Sequence, residues 1–188
     1  MSIRIAKSAG FCFGVSRAVD TVEKAAGYGC RVATLGPIIH NRHAVQHFED
    51  MGVGVIQSPE EAVPGSTVII RSHGVTKAIQ EELERCAGEV VDATCPFVKR
   101  IHGIVSNAEE EGRLPIIIGT RSHPEVEGIA GWCQHCEIFE NVQELEKWAN
   151  SGKIPGDFPF SDMLSPGSVS HRIFLMVKST RLYWLYKR

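Results

Sequence analysis

Two cysteines and two histidines keep the same interval in this chain. Cys12 and Cys95 stand 83 residues apart, and so do His40 and His123. Each Cys follows an apolar run and opens a helix-like segment, while each His closes an apolar run ahead of a turn. The matched interval points to a duplicated unit whose copies converge on one centre. A thiolate at a helix N-terminus is stabilised by the helix dipole. Two such thiolates suit a soft metal or an iron–sulfur cluster, although a small buried thiol is the commoner state of an unpaired Cys.

His40, His73 and His123 each follow an apolar run and precede a turn, and Ser72-His73-Gly74 is echoed by Ser122-His123-Pro124. Helix N-termini bind anions through their unpaired N–H groups. A His there adds a donor or a positive charge, so three of them suggest a phosphate or diphosphate pocket; singly, each reads as an ordinary loop residue. Glu125 follows in His123-Pro-Glu-Val-Glu-Gly128. A carboxyl in a partly dry pocket can keep a proton at neutral pH and donate it. A Glu in a first helical turn can equally serve the helix dipole. Glu127 is a candidate for that second role, and the sequence leaves the two alternatives open. Cys133-Gln-His-Cys136 is a CxxC, either a redox pair or half of a zinc site. No second CxxC exists, and Cys30 and Cys86 read as core.

These residues need elements to hold them. Short Val/Ile-rich runs alternate with amphipathic stretches. Strands are expected at Ile3–Ala6, Arg31–Leu35, Val53–Ile56, Thr67–Ile70, Val90–Asp92, Leu114–Ile118 and Glu137–Phe139. Helices are expected at Val15–Ala26, Ala44–Met51, Lys77–Cys86, Phe97–Glu111 and Val142–Trp148, with a further one beginning at Ile129. The alternation argues for repeated small α/β units with parallel sheets. In such sheets ligands bind beyond the carboxyl ends of the strands, where all five Cys and His candidates fall. The expected organisation is a first unit over 1–94, a second over 95–150, and an atypical tail over 151–188.

Composition narrows the functional class. The 188 residues carry a formal net charge of −2, with no basic footprint for nucleic acid. The start has no continuous apolar run followed by a small-residue cleavage site, so no secretory signal is expected, and the apolar runs are far shorter than the roughly 18 residues of a membrane span. A cytosolic protein whose six Cys are thiols or metal ligands is expected. Charge shifts along the chain: residues 1–150 hold 14 Lys+Arg and 20 Asp+Glu, whereas 151–188 hold 6 and 2. That last segment also gathers six aromatics and three prolines.

Together the motifs resemble the 4-hydroxy-3-methylbut-2-enyl diphosphate reductase family, also called LytB. The matching stretches are Gly10-Phe-Cys-Phe-Gly-Val-x-Arg-Ala-Val19, His40-Asn-Arg42, Ser72-His-Gly-Val75, Asp92-Ala-Thr-Cys-Pro96 and His123-Pro-Glu-Val-Glu-Gly128. The resemblance implies three pseudo-equivalent α/β units around a [4Fe-4S] cluster, two of them in this chain. It implies that Cys12 and Cys95 ligate the cluster, that His40, His73 and His123 line the substrate diphosphate pocket, and that Glu125 delivers a proton. The implied reaction is a two-electron, two-proton loss of an allylic hydroxyl giving isopentenyl and dimethylallyl diphosphate, with ferredoxin or flavodoxin as electron donor. Family members are longer and supply a third cluster Cys, which this chain lacks. A truncated or frameshifted gene, a labile cluster and little turnover are therefore expected. A non-catalytic diphosphate-binding fragment and a zinc-binding interaction module using Cys133 and Cys136 are the alternatives.

Overall fold

The computed structural model describes residues 3, 4, 6, 9–28, 30–39, 41–111 and 113–151, apart from the Glu109 side chain, and the backbone of 177–178 and 181–182. His40 lies outside the described residues, as do most of 152–188. The chain separates into two compact units, Met1–Arg100 and Ile101–Arg188.

The first unit is built on a four-stranded sheet. Its strands are β1 (Val32–Leu35), β2 (Gly54–Ile56), β3 (Thr67–Ile70) and β4 (Glu89–Asp92). They lie in the order β2-β1-β3-β4, and every neighbouring pair is parallel. Helices α1 (Phe13–Ala26), α2 (Arg42–Asp50) and α3 (Lys77–Cys86) accompany it. The run Thr67-Val-Ile-Ile70 explains the central position of β3: β-branched side chains fit a pleated surface buried on both faces. Val68, Ile69 and Ile70 are fully buried. Ile69 packs with Ala18 and Val22 of α1 and Phe48 of α2, whereas Val68 and Ile70 pack with Leu83 of α3. Period-two alternation thus sends successive side chains of β3 to opposite helical layers. Local caps start the helices. The Asn41 side chain accepts from the N–H groups of His43 and Ala44, and the Thr76 hydroxyl accepts from Ile79 N–H.

Helix α4 (Pro96–Glu110) follows β4, with Pro96 at the position where a missing N–H costs nothing. In the second unit β5 (Ile116–Ile118) pairs in parallel with β6 (Glu137–Phe139). Helix α5 (Pro124–Ala130) connects them and α6 (Val142–Ala149) follows. Ile117 packs with Ile101, Val105, Val126 and Ile129, while Ile116 packs with Phe139 and Leu145. Residues 177–178 (β7) and 181–182 (β8) pair antiparallel.

The repeated parallel α/β architecture matches the expectation. Three local readings change, the first being that Cys30, expected in the core, is exposed. Helix α5 begins at Pro124, not near Ile129, because His123 caps it and Pro124 takes its first position. Residues 3, 4 and 6 carry no strand, and Ile3 is 91% exposed. No helix among the described residues is long and apolar enough to cross a membrane.

Candidate functional site

Cys12 is the N-cap of α1. Its backbone is extended, its carbonyl accepts from Ser16 N–H at 2.9 Å, and its exposed side chain makes no capping hydrogen bond. The thiol is thus held at a helix start with its sulfur uncommitted. Cys95 stands just before Pro96 at the start of α4. Its N–H donates to the Ser72 carbonyl at 2.9 Å, which ties the thiol loop to the loop carrying His73. Its own carbonyl accepts from Lys99 N–H at 2.9 Å.

The two thiol segments meet at Gly14. A Cβ built on Gly14 would lie 2.6 Å from Cys95 Sγ and 3.0 Å from Cys95 Cβ. Only a residue without a side chain lets the first turn of α1 approach Cys95 so closely. Neither Cys12 nor Cys95 is in a disulfide.

Arg17, one turn into α1, is a residue the reading by side-chain chemistry passed over. Its Nη1 donates to the Thr94 carbonyl at 3.0 Å and its Nη2 to the Asp92 carbonyl at 3.4 Å. The guanidinium therefore clamps the loop that presents Cys95 against the helix that presents Cys12. The available signal was its place in Gly10-Phe-Cys-Phe-Gly-Val-x-Arg, one helical turn past Gly14. Asp92 stiffens the same loop: its carboxylate accepts from Thr94 N–H at 2.9 Å and from Lys99 Nζ at 2.6 Å. Burial pushes the Asp92 carboxyl up, but the hydrogen bonds from Lys99 and Thr94 outweigh it and hold its pKa below the usual range. Arg17→Ala is expected to lower stability by about 1–3 kcal/mol through loss of two charge-assisted hydrogen bonds to backbone. Urea denaturation measures this, and an unchanged midpoint would show that the clamp carries no stability.

His73 is half-buried in the loop after β3. The Ser72 hydroxyl beside it donates to the Ile38 carbonyl at 3.2 Å, joining this loop to the one after β1.

In the second unit, His123 caps α5 with its side chain: Nδ1 accepts from Glu125 N–H at 3.2 Å. That geometry makes Nδ1 an acceptor and leaves Nε2 as the ring's N–H donor. The open alternatives for the two glutamates now separate by exposure. Glu127 is exposed and Glu125 is half-buried. Burial pushes the Glu125 carboxyl up, against the opposing pull of His123. Glu125 is thus the carboxyl better placed to keep a proton, and Glu127 the one suited to the helix dipole.

Cys133 and Cys136 lie between α5 and β6, packed against the Ile117 cluster, and Cys133 Sγ lies 3.4 Å from the Ala130 carbonyl. Among the described residues no three His, Cys, Asp or Glu side chains gather closely enough to hold a metal ion. The thiol pair of the first unit suits an iron–sulfur cluster in part. Its donors are soft, both stand at helix starts, and Gly14 clears the space beside Cys95.

The family model described as LytB protein matches residues 3–183. The 4-hydroxy-3-methylbut-2-enyl diphosphate reductase of Clostridioides difficile (strain 630) is 43% identical over 154 residues, covering 80% of this chain and 53% of that protein. A solved structure of (E)-4-hydroxy-3-methyl-but-2-enyl diphosphate reductase, described as the terminal enzyme of the non-mevalonate pathway, superposes with a TM-score of 0.67 at 41% identity. It covers 77% of this chain and 53% of that one. The reductase from Plasmodium falciparum superposes with a TM-score of 0.74 at 28% identity, covering 94% and 50%. The chain spans about half the length of the relatives it matches. With the ordered motifs, the parallel α/β units and the family match over 3–183, the chain belongs to the LytB protein family.

Proposed function

We propose that this chain serves the reductive dehydroxylation of 4-hydroxy-3-methylbut-2-enyl diphosphate to isopentenyl and dimethylallyl diphosphate. The observation that carries the reading is that the starts of α1 and α4, each with a thiol, meet where Gly14 packs against Cys95. Cys12 and Cys95 are the proposed ligands of a [4Fe-4S] cluster. When bound, the cluster supplies electrons that no side chain can.

The chain's own residues do the rest. Arg17 and the Ser72 carbonyl hold the Cys95 loop in register with α1. His40, His73 and His123 are the proposed diphosphate-binding residues. His123 is held in place by the bond that its Nδ1 accepts from Glu125 N–H at 3.2 Å. Glu125 is the proposed proton donor to the departing hydroxyl, which leaves as water, and burial raises its carboxyl pKa in favour of the protonated form. The overall change consumes two electrons and two protons, and a ferredoxin or flavodoxin is the proposed electron source. The proposed compartment is the cytosol.

Anaerobic reconstitution with iron and sulfide tests the reading. The chain is expected to develop the broad thiolate-to-iron absorption of an iron–sulfur cluster and, after one-electron reduction, its electron paramagnetic resonance signal. Cys12→Ser and Cys95→Ser are each expected to lose both. Iron loading that survives both substitutions, or zinc retained with no iron, would overturn it.

A further inference from the structure

We propose that Arg71 is a diphosphate-gripping residue, holding the anionic end of the ligand at the crevice between β1 and β3. The inference rests on the diphosphate reading above and assigns that site a further contact. In the first sheet the chain leaves β1 for β2 on one side and leaves β3 for β4 on the other. Adjacent parallel strands whose connections depart in opposite directions open a crevice past their carboxyl ends, where α/β sheets take their ligands.

Arg71 is the first residue past β3, and Gly36 is the first past β1. The guanidinium lies across that gap: a Cβ built on Gly36 would sit 2.8 Å from Arg71 Nη1. Gly36 has φ +66°, a conformation that favours glycine, and its missing side chain leaves the room the guanidinium occupies. Arg71 Nε is buried and has no hydrogen-bond partner among the described residues. No described carboxylate forms an ion pair with the guanidinium.

Native structures rarely bury an N–H without an acceptor, and this one lies where a ligand is expected. The planar fork of a guanidinium matches the oxygens of a phosphate group. The same two loops carry His40 and His73, and the Ser72 hydroxyl locks them together through the Ile38 carbonyl. A purely packing role for Arg71 would be met by an alkyl chain of similar length, which gives a direct discrimination.

Isothermal titration of the 188-residue chain with inorganic pyrophosphate reads the contact. Arg71→Met keeps the stem and removes the fork, and is expected to weaken binding at least about tenfold. Arg71→Lys keeps charge and stem, and is expected to fall between the two. Should the Met variant fail to fold, the Lys variant still decides the question, because an affinity equal to the unsubstituted chain overturns a role for the fork. A folded Met variant that binds as tightly as the unsubstituted chain overturns the proposal and leaves the diphosphate reading standing. Absence of pyrophosphate binding by the unsubstituted chain overturns both.

Discussion

Gly14→Val is expected to abolish iron loading, and Gly14→Ala to weaken iron retention by about 10–100-fold, the range seen when the surroundings of metal ligands are disturbed. The reason is steric. A Cβ at position 14 would stand 2.6 Å from Cys95 Sγ, inside any permitted contact. The thiol has little freedom to retreat. Cys95 N–H is bonded to the Ser72 carbonyl, and the carbonyls of Asp92 and Thr94 are held by Arg17. Gly14 is itself buried in the first turn of α1, so the helix cannot roll away without disturbing Ala18 and Val22 beneath it. Iron per chain after reconstitution and desalting measures the effect, and Gly103→Ala is the control. Position 103 is helical with open space around a built Cβ, so alanine there should raise helix stability by about 0.5–1 kcal/mol and leave iron unchanged. A Gly14→Val chain that loads iron fully would sink the close approach of α1 to Cys95 as the basis of the site.

Glu125→Gln is the second large effect. Turnover of the diphosphate substrate is expected to fall by roughly 10²–10⁴-fold, the usual contribution of a positioned proton donor. Glu127→Gln should leave turnover nearly unchanged, since Glu127 is exposed and serves at most the dipole of α5. Equal losses from the two substitutions would remove Glu125 from its assigned role. Stability offers a check independent of turnover. A carboxyl whose native pKa is raised holds its proton more tightly in the folded chain than in the unfolded one. Its contribution to stability is fully present below its ordinary value of 4.5 and is lost as pH rises through the raised native pKa. Glu125→Gln removes that loss, so the variant's stability should vary less across this window than that of the unsubstituted chain. Denaturation midpoints at several pH values read this directly.

Much of the fold was legible because its signals are local. Thr67–Ile70, Lys77–Cys86 and Glu137–Phe139 were bounded correctly from the alternation of short apolar, β-branched runs with amphipathic stretches. Each depends only on residues within a few positions of itself. Helix α5 was misplaced although its signal was present. Pro124 marks a first helical position, and a His just before it can cap through its ring, but His123 was read for anion chemistry alone.

By itself the sequence determined the family, through ordered motifs that carry two thiols, three histidines and a glutamate and that match LytB. Those are properties of residue types and spacing, and they survive without coordinates. Tertiary structure decided which neighbours surround those residues. The order β2-β1-β3-β4 opens a crevice at β1 and β3, and strand order depends on which apolar faces pack together, not on any local pattern. Burial separates Glu125 from Glu127, because one side chain of the same short helix turns inward and the other outward. Arg17 and Arg71 act on Thr94 and Gly36, which are far from them along the chain. Contacts of that kind form only once the sheet and its helices have closed.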